Sequence, residues 1–335
     1  MKYVEAAGLR LSAIGVGTWQ FGAGEWGYGS NYAEEVAPAI IERSLDLGVN
    51  LVDTAEAYAF GRSERIVGKA IADRRDDVFV ATKLFPILPF DPVVSNRAHG
   101  SARRLGVEEI DLYQVHWPNP VVPVKATMRA LAALQREGLV RNVGVSNFSR
   151  DKWAEAEADL KGPVVSNQVR YSLVHREPEE EILPYAQAND RIVIAYSPLG
   201  QGLLSGRYDA DHLPSRMRAT SSAFLPENLA AATPLLDALK EVAASHGATN
   251  TQIALAWLIR RKNVVVIPGA SSVAQAEANA AAADIELSDD EDARLVEASD
   301  RYAPIAGFSA MTRLAQMRAE RAASRVRRAV GGLGA

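Results

Sequence analysis

Four residues of the sequence could between them move a proton onto an oxygen: Asp53, Tyr58, Lys83 and His116. They close three apolar runs, "VNLVDTAEAY" (Val49 to Tyr58), "DVFVATK" (Asp77 to Lys83) and "IDLYQVHWP" (Ile110 to Pro118). A phenol titrates near ~10, too high to exchange protons efficiently at neutral pH. An ammonium beside it favours the phenolate and lowers that value. Lys83 is the ammonium in question, and Asp53 is the anion that would keep it charged once buried. A neutral imidazole from His116 can donate a hydrogen bond to a carbonyl oxygen and orient it. Each residue alone has a plainer reading. Asp53 could cap a helix, Lys83 could be a rim cation, His116 a core histidine and Tyr58 a loop aromatic. Their recurrence at successive strand ends points instead to one site that protonates a developing alkoxide.

Something must bring those strand ends together. Short β-rich runs alternate with amphipathic helical stretches along the chain. After an N-terminal hairpin in "YVEAAGLRLS", strands are expected over Ala13–Gly17, Asn50–Val52, Val78–Thr82, Ile110–Val115, Val140–Val145, Val164–Asn167, Ile192–Ala195 and Val264–Ile267. Helices are expected over Ala33–Leu47, Glu64–Ala72, Pro92–Leu105, Val124–Glu137, Ser149–Ala158, Glu179–Ala188, Thr233–His246, Thr251–Arg260, Val273–Ala281 and Asp289–Ala298. Near-continuous apolar strands between helices mean parallel strands covered on both faces. Eight such units give α/β architecture of the (β/α)8 TIM-barrel type, with the hairpin in front and extra C-terminal helices behind. A doubly wound sheet is the alternative. It usually carries a Gly-rich phosphate loop after the first strand, and "GVGTWQFG" lacks the third glycine and a helix directly behind it. Residues 1–300 read as one barrel domain, and 301–335 as an arginine-rich helical tail.

Bulk composition narrows the function. The chain has 335 residues, a formal net charge of −4 and no cysteine. Thiolate catalysis, disulfides and Cys-ligated zinc are excluded. The charge argues against broad nucleic-acid binding. No secretory h-region and no run of ~18 apolar residues is present, so a cytoplasmic protein without a membrane partner is expected. A metal-dependent hydrolase would need several histidine and carboxylate ligands at strand ends. Among His99, His116, His175, His212 and His246, only His116 is placed there.

In a barrel all strand C-termini share one rim, where active sites sit. Read in order, the ends are Gly17–Thr18–Trp19, Asp53 with Tyr58 beyond, Lys83, His116, Ser146–Asn147, Asn167–Gln168, Tyr196–Ser197 and Pro268–Gly269. With these blocks the sequence resembles the aldo-keto reductase superfamily, in its bacterial and potassium-channel-β-like branches. "LVDTAEAYAFGRSE" looks like the family signature. "FVATK" and "DLYQVHWP" look like its lysine and histidine strands. "GLVRNVGVSNFS", "SNQVRYSLVHRE", "YSPLGQGLLSGRY" and "IPGASSVAQAEAN" follow in family order, over roughly residues 2–300.

The resemblance implies hydride transfer from NADP(H) to an aldehyde or ketone, with Tyr58 as proton donor, Lys83 and Asp53 tuning it, and His116 positioning the carbonyl. It implies that Ser146, Asn147 and Gln168 hold the nicotinamide carboxamide and that Tyr196 stacks on the ring. Ser197, Pro198, Leu199, Gly200, Gly202, Leu203 and Ser205 would wrap the pyrophosphate. Gly17, Thr18, Trp19 and Asp53 join the expected cofactor contacts, as do Gly269, Ser271, Gln275 and Asn279 around the adenosine end. Two departures stand out. The stretch 269–275 has no basic residue for a 2′-phosphate, which leaves NAD(H) or dual use open beside NADP(H). The glycine usual after the signature tyrosine is Ala59, expected to be a minor change. Trp19, Tyr58, Phe85, His116 and Trp117 are the expected substrate pocket, with Trp26 and Tyr28 as further aromatics, and the partner is a small carbonyl compound. The other functional reading is a cofactor-binding, redox-sensing regulatory subunit with little turnover. Monomer and homo-oligomer both remain open.

Overall fold

The eight apolar runs form one parallel sheet, and their flanking amphipathic runs form the helices that cover it. The computed structural model describes residues 1–24, 29, 32–209, 212–214 and 216–317. A two-stranded antiparallel hairpin comes first, β1 (Tyr3–Ala6) and β2 (Leu9–Ser12). The parallel strands are β3 (Val16–Gly17), β4 (Leu51–Asp53), β5 (Phe79–Leu84), β6 (Ile110–Val115), β7 (Val140–Ser146), β8 (Val164–Arg170), β9 (Ile192–Tyr196) and β10 (Val264–Val266), each paired with the next in chain order. The seam closes between the ends of that order. Ile14 bridges Val266, Val266 N–H donates to Ala13 O at 2.9 Å, and Gly15 N–H donates to Val266 O at 2.7 Å. Gly17 at the same seam has no room for a side chain, since a Cβ there would lie 2.6 Å from Ile267 O. The result is a (β/α)8 barrel.

The helices are α1 (Ala37–Asp46), α2 (Arg62–Ile71), α3 (Val93–Leu105), α4 (Val124–Glu137), α5 (Arg150–Leu160), α6 (Ile182–Ala188), α7 (Pro226–Ser245), α8 (Asn250–Ile259), α9 (Val273–Ala281) and α10 (Asp289–Asp300). Their ends carry the chemistry that helix termini need. Thr249 and Ser288 close reciprocal capping boxes with Gln252 and Glu291, satisfying N–H groups that have no intrahelical acceptor.

Three expected boundaries are corrected. The helix read from Thr233 starts at Pro226 and runs through Pro234. Pro226 takes the first-turn position that proline favours, so Pro234 does not mark the start. The helix read over Glu179–Ala188 splits into a 3₁₀ turn at Glu177–Glu179 and α6. Strand one shrinks to β3, because Ala13 and Ile14 face the last strand rather than β4. A helix continues over 307–317, and its residues Ala310 and Met317 pack on Leu225. The arginine-rich tail from 318 onward lies outside the described residues, as do Trp26 and Tyr28.

Inside the barrel, composition changes with height. Leu51, Ala81, Leu112, Ile192, Ile194 and Val265 form an apolar floor, capped from below by Ala6 and Leu11 of the hairpin. Side chains two residues apart on a strand share a face. Thus Asp53 stands above Leu51, Lys83 above Ala81, and Gln114 above Leu112. The register aligns them, with Asp53 beside Ala81 and Lys83 beside Gln114. A polar tier on an apolar floor is therefore written into the alternation.

Candidate active site

The four titratable residues meet at the rim. Lys83 Nζ donates to Asp53 Oδ1 at 2.5 Å, to Thr54 O at 2.9 Å and to Tyr58 Oη at 3.3 Å. Both the ammonium and the carboxylate are buried, with side-chain exposures of 0% and 2%. The other carboxylate oxygen accepts from Gln168 Nε2 at 2.7 Å and from Gln114 Nε2 at 3.4 Å. Burial pulls the Lys83 ammonium down, but Asp53 and Tyr58 outweigh it, and its net direction is up. Lys83 stays charged. For Tyr58 burial raises the phenol, while Lys83 opposes the rise and Asp53 adds to it. The net direction is upward, which corrects the expectation of a lowered value. Lys83 limits the penalty of burying a phenolate without abolishing it.

His116 stands across from the phenol. The two rings are 5.8 Å apart at 77°. Burial and the Lys83 charge lower the imidazole to about 3, so it is neutral over the ordinary pH range and able to donate a hydrogen bond. Its Nδ1 is buried with no hydrogen-bond partner among the described residues. Two more of the expected pocket aromatics gather beside it. Phe85 meets the imidazole edge-on at 6.1 Å and Trp117 lies nearly parallel to it at 6.4 Å, while Trp19 and Trp117 are both about half exposed.

A hydroxyl cluster fixes the base of this arrangement. Ser63 Oγ bonds Thr18 Oγ1 at 2.8 Å and Thr54 Oγ1 at 2.9 Å, and donates to Thr18 O at 3.0 Å. Thr18 is fully buried, and its Oγ1 also donates to Asp53 O. Thr54 O in turn receives Lys83. Sequence reasoning missed Gln114, Thr54 and Ser63. Gln114 could have been found, because it alternates with Leu112 and His116 on one strand face.

The residues expected to hold a nicotinamide dinucleotide line one side of the mouth. Tyr196 Oη donates to Asn147 Oδ1 at 3.0 Å, and Asn147 Nδ2 donates to His116 O and to Ser146 Oγ. Ser146 Oγ donates to Gln168 O. The following loop turns through left-handed backbone at Ser197, Gly200, Gln201 and Gly202, and within it the Gly200 and Gly202 N–H groups donate to Ser197 O and Leu199 O. Leu203 beneath it is core, Ser205 Oγ closes on Gly202 O, and Gln201 Oε1 is buried with no hydrogen-bond partner among the described residues. Pro198 and Leu199 lie within the same loop. The polar side chains of Ser146, Asn147 and Gln168 and the half-buried Tyr196 ring fit such a cofactor. At the far end Ser271 gives both its N–H and its hydroxyl to Gln275 Oε1, at 2.8 and 2.9 Å, and Asn279 Nδ2 reaches Gly269 O. Among the described residues no group of three or more potential ligands stands ready for a metal, and no helix is long and apolar enough to cross a membrane.

The turn after Tyr58 is strained. Ala59 and Phe60 both have positive φ, 46° and 54°. An L-residue pays roughly 1–2 kcal/mol there, so Ala59 is more than the minor change expected. Ala59→Gly should raise stability by about 0.5–1 kcal/mol after its more flexible unfolded state is subtracted. Chemical denaturation checks this, and an unchanged or lower midpoint would refute the strain.

Comparison with known proteins agrees with the fold. The family profile described as "Aldo/keto reductase family" matches residues 13–300. An uncharacterized oxidoreductase of Mycobacterium tuberculosis is 49% identical over 306 residues, covering 91% of this chain and 95% of the relative. The NADH-specific methylglyoxal reductase of Escherichia coli is 32% identical, covering 84% and 92%. Among solved structures, an aldo/keto reductase from Klebsiella pneumoniae in complex with NADP and acetate superposes with a TM-score of 0.71 at 30% identity, covering 91% of this chain and 97% of that one.

Proposed function

The chain belongs to the aldo/keto reductase family, and from that membership we propose that it reduces an aldehyde or ketone to the alcohol with NADP(H), Tyr58 delivering the proton. The observation that carries the reading is the continuous chain Asp53–Lys83–Tyr58, with neutral His116 facing the phenol. When bound, a dihydronicotinamide supplies the hydride. His116 orients the carbonyl by donating a hydrogen bond to its oxygen. As that oxygen gains charge, Tyr58 Oη gives up its proton to it, and the resulting phenolate is held by Lys83 until solvent reprotonates it. Asp53 keeps the ammonium charged in the dry interior. Tyr196 offers a ring face that fixes which side of the nicotinamide meets the substrate. Ser146, Asn147 and Gln168 would hold the carboxamide. Gln168 would first have to share the amide it now gives to Asp53.

The far end offers the polar groups of Ser271 and Gln275, and the stretch 269–275 has no basic residue. The relatives divide on this point, one described with NADP and another as NADH-specific. Separate NADPH and NADH titrations, followed by tryptophan fluorescence, test the cofactor reading. NADPH is expected to bind more tightly, but by less than about tenfold, because the stretch 269–275 supplies no charged partner for the extra phosphate. Tighter NADH binding would overturn the preference, and binding of neither would overturn the function.

A further inference from the structure

Glu56 lies between Asp53 and Tyr58 in the sequence, yet its carboxylate turns away from both. Oε1 accepts the Phe85 N–H at 2.7 Å and Arg97 Nη1 at 2.9 Å. The same Arg97 nitrogen donates to Phe85 O at 2.5 Å. Both backbone polar groups of Phe85 are thus held by one ion pair that reaches from the signature turn to α3. Burial raises the Glu56 carboxyl, and the Phe85 N–H and Arg97 oppose the rise. The segment after β5 has little packing of its own, since Phe85, Ile87, Leu88 and Phe90 all present exposed apolar surface. Two further side chains pin it. Asn119 Nδ2 donates to Pro86 O and Thr127 Oγ1 to Pro89 O, each at 2.7 Å. Of these three ties, only the Glu56–Arg97 pair acts on the residue whose ring meets His116.

We propose that Glu56 and Arg97 are positioning residues that hold the Phe85 ring as a fixed wall against His116, and so select bulky aromatic carbonyls over small ones. The inference rests on the reading of the site as a carbonyl reductase. A wall that is free to swing loses contact with a large flat substrate, but a small one never touches it. Pocket contacts of this kind change discrimination by about 10–200-fold.

The test compares 4-nitrobenzaldehyde with methylglyoxal, using NADPH, in the full-length wild type, Glu56→Gln, Glu56→Ala, Arg97→Met and Phe85→Ala. Glu56→Ala is expected to raise KM for the aromatic aldehyde by about tenfold or more, with kcat nearly unchanged and KM for methylglyoxal within about twofold. Glu56→Gln should fall between, because its amide oxygen still accepts the Phe85 N–H. The Glu56→Ala/Phe85→Ala double variant should be no worse than Phe85→Ala alone, since both changes act through one ring. Amide hydrogen exchange supplies a readout apart from turnover. The Phe85 N–H should exchange about tenfold faster in Glu56→Ala, with the Lys83 amide unaffected. Equal KM changes for both aldehydes, a common fall in kcat, or additive losses in the double variant would overturn the proposal. A wild type that reduces neither aldehyde removes the carbonyl-reductase reading and the selectivity with it, whereas the exchange result still decides whether the pair holds Phe85.

Discussion

Tyr58→Phe is expected to lower kcat for carbonyl reduction by about 10²–10⁴-fold, the usual worth of a positioned proton donor. Cofactor affinity should stay within about twofold, because the substitution removes one oxygen and little else. The phenylalanine ring keeps its edge contact with His116, and the Lys83 ammonium still lies 5.0 Å from the ring centre. Lys83 loses only its longest hydrogen bond, at 3.3 Å, and retains Asp53 and Thr54. A large loss of turnover with unchanged binding therefore isolates the proton. Equal rates in the two proteins would remove Tyr58 from the mechanism. A wild type that binds NADPH yet barely turns over, with no difference from Tyr58→Phe, would favour the redox-sensing alternative.

The site was legible in the sequence because strand ends in a barrel share one rim. Apolar runs ending on Asp53, Lys83 and His116 needed no coordinates to be placed together, once eight strand–helix units were counted. Interior alternation was equally legible, and Gln114 was missed only because attention stopped at the last residue of each run. Other features were not written at that level. The tie from Glu56 to Phe85 spans residues with |i−j| of 29, and no periodicity relates a signature-turn carboxylate to a backbone N–H on another loop. The hydroxyl cluster around Ser63 depends on α2 packing over two strand ends, a tertiary fact. The sign of the Tyr58 shift failed for the same reason. A neighbouring ammonium can be inferred from sequence, but the depth of burial that outweighs it cannot. At Ala59 the departure from the family pattern read as a minor change, and only the dihedral angle showed the left-handed turn.

The largest expected loss of stability lies at the buried ion pair. Removing one member of such a pair costs about 3–5 kcal/mol, because the other charge is left in a dry interior. The two single variants should not be equivalent. Lys83→Met leaves the Asp53 carboxylate with amide donors from Gln168 and Gln114, and methionine's flexible chain fills the lysine's volume. Asp53→Asn leaves the ammonium with only Thr54 O, the Tyr58 hydroxyl and a neutral amide. The second variant should therefore fall at the upper end of that range and the first at the lower. The double variant Asp53→Asn/Lys83→Met removes both charges and should recover to within about 1–2 kcal/mol of the wild type. Turnover should not recover with it, since no cation then supports the Tyr58 phenolate. Denaturation midpoints and kcat measured on the same four proteins separate the two roles. Additive destabilisation in the double variant would mean that the pair is not coupled as its 2.5 Å contact requires. Recovered turnover without the lysine would mean that Tyr58 works unaided, against the burial that raises its phenol.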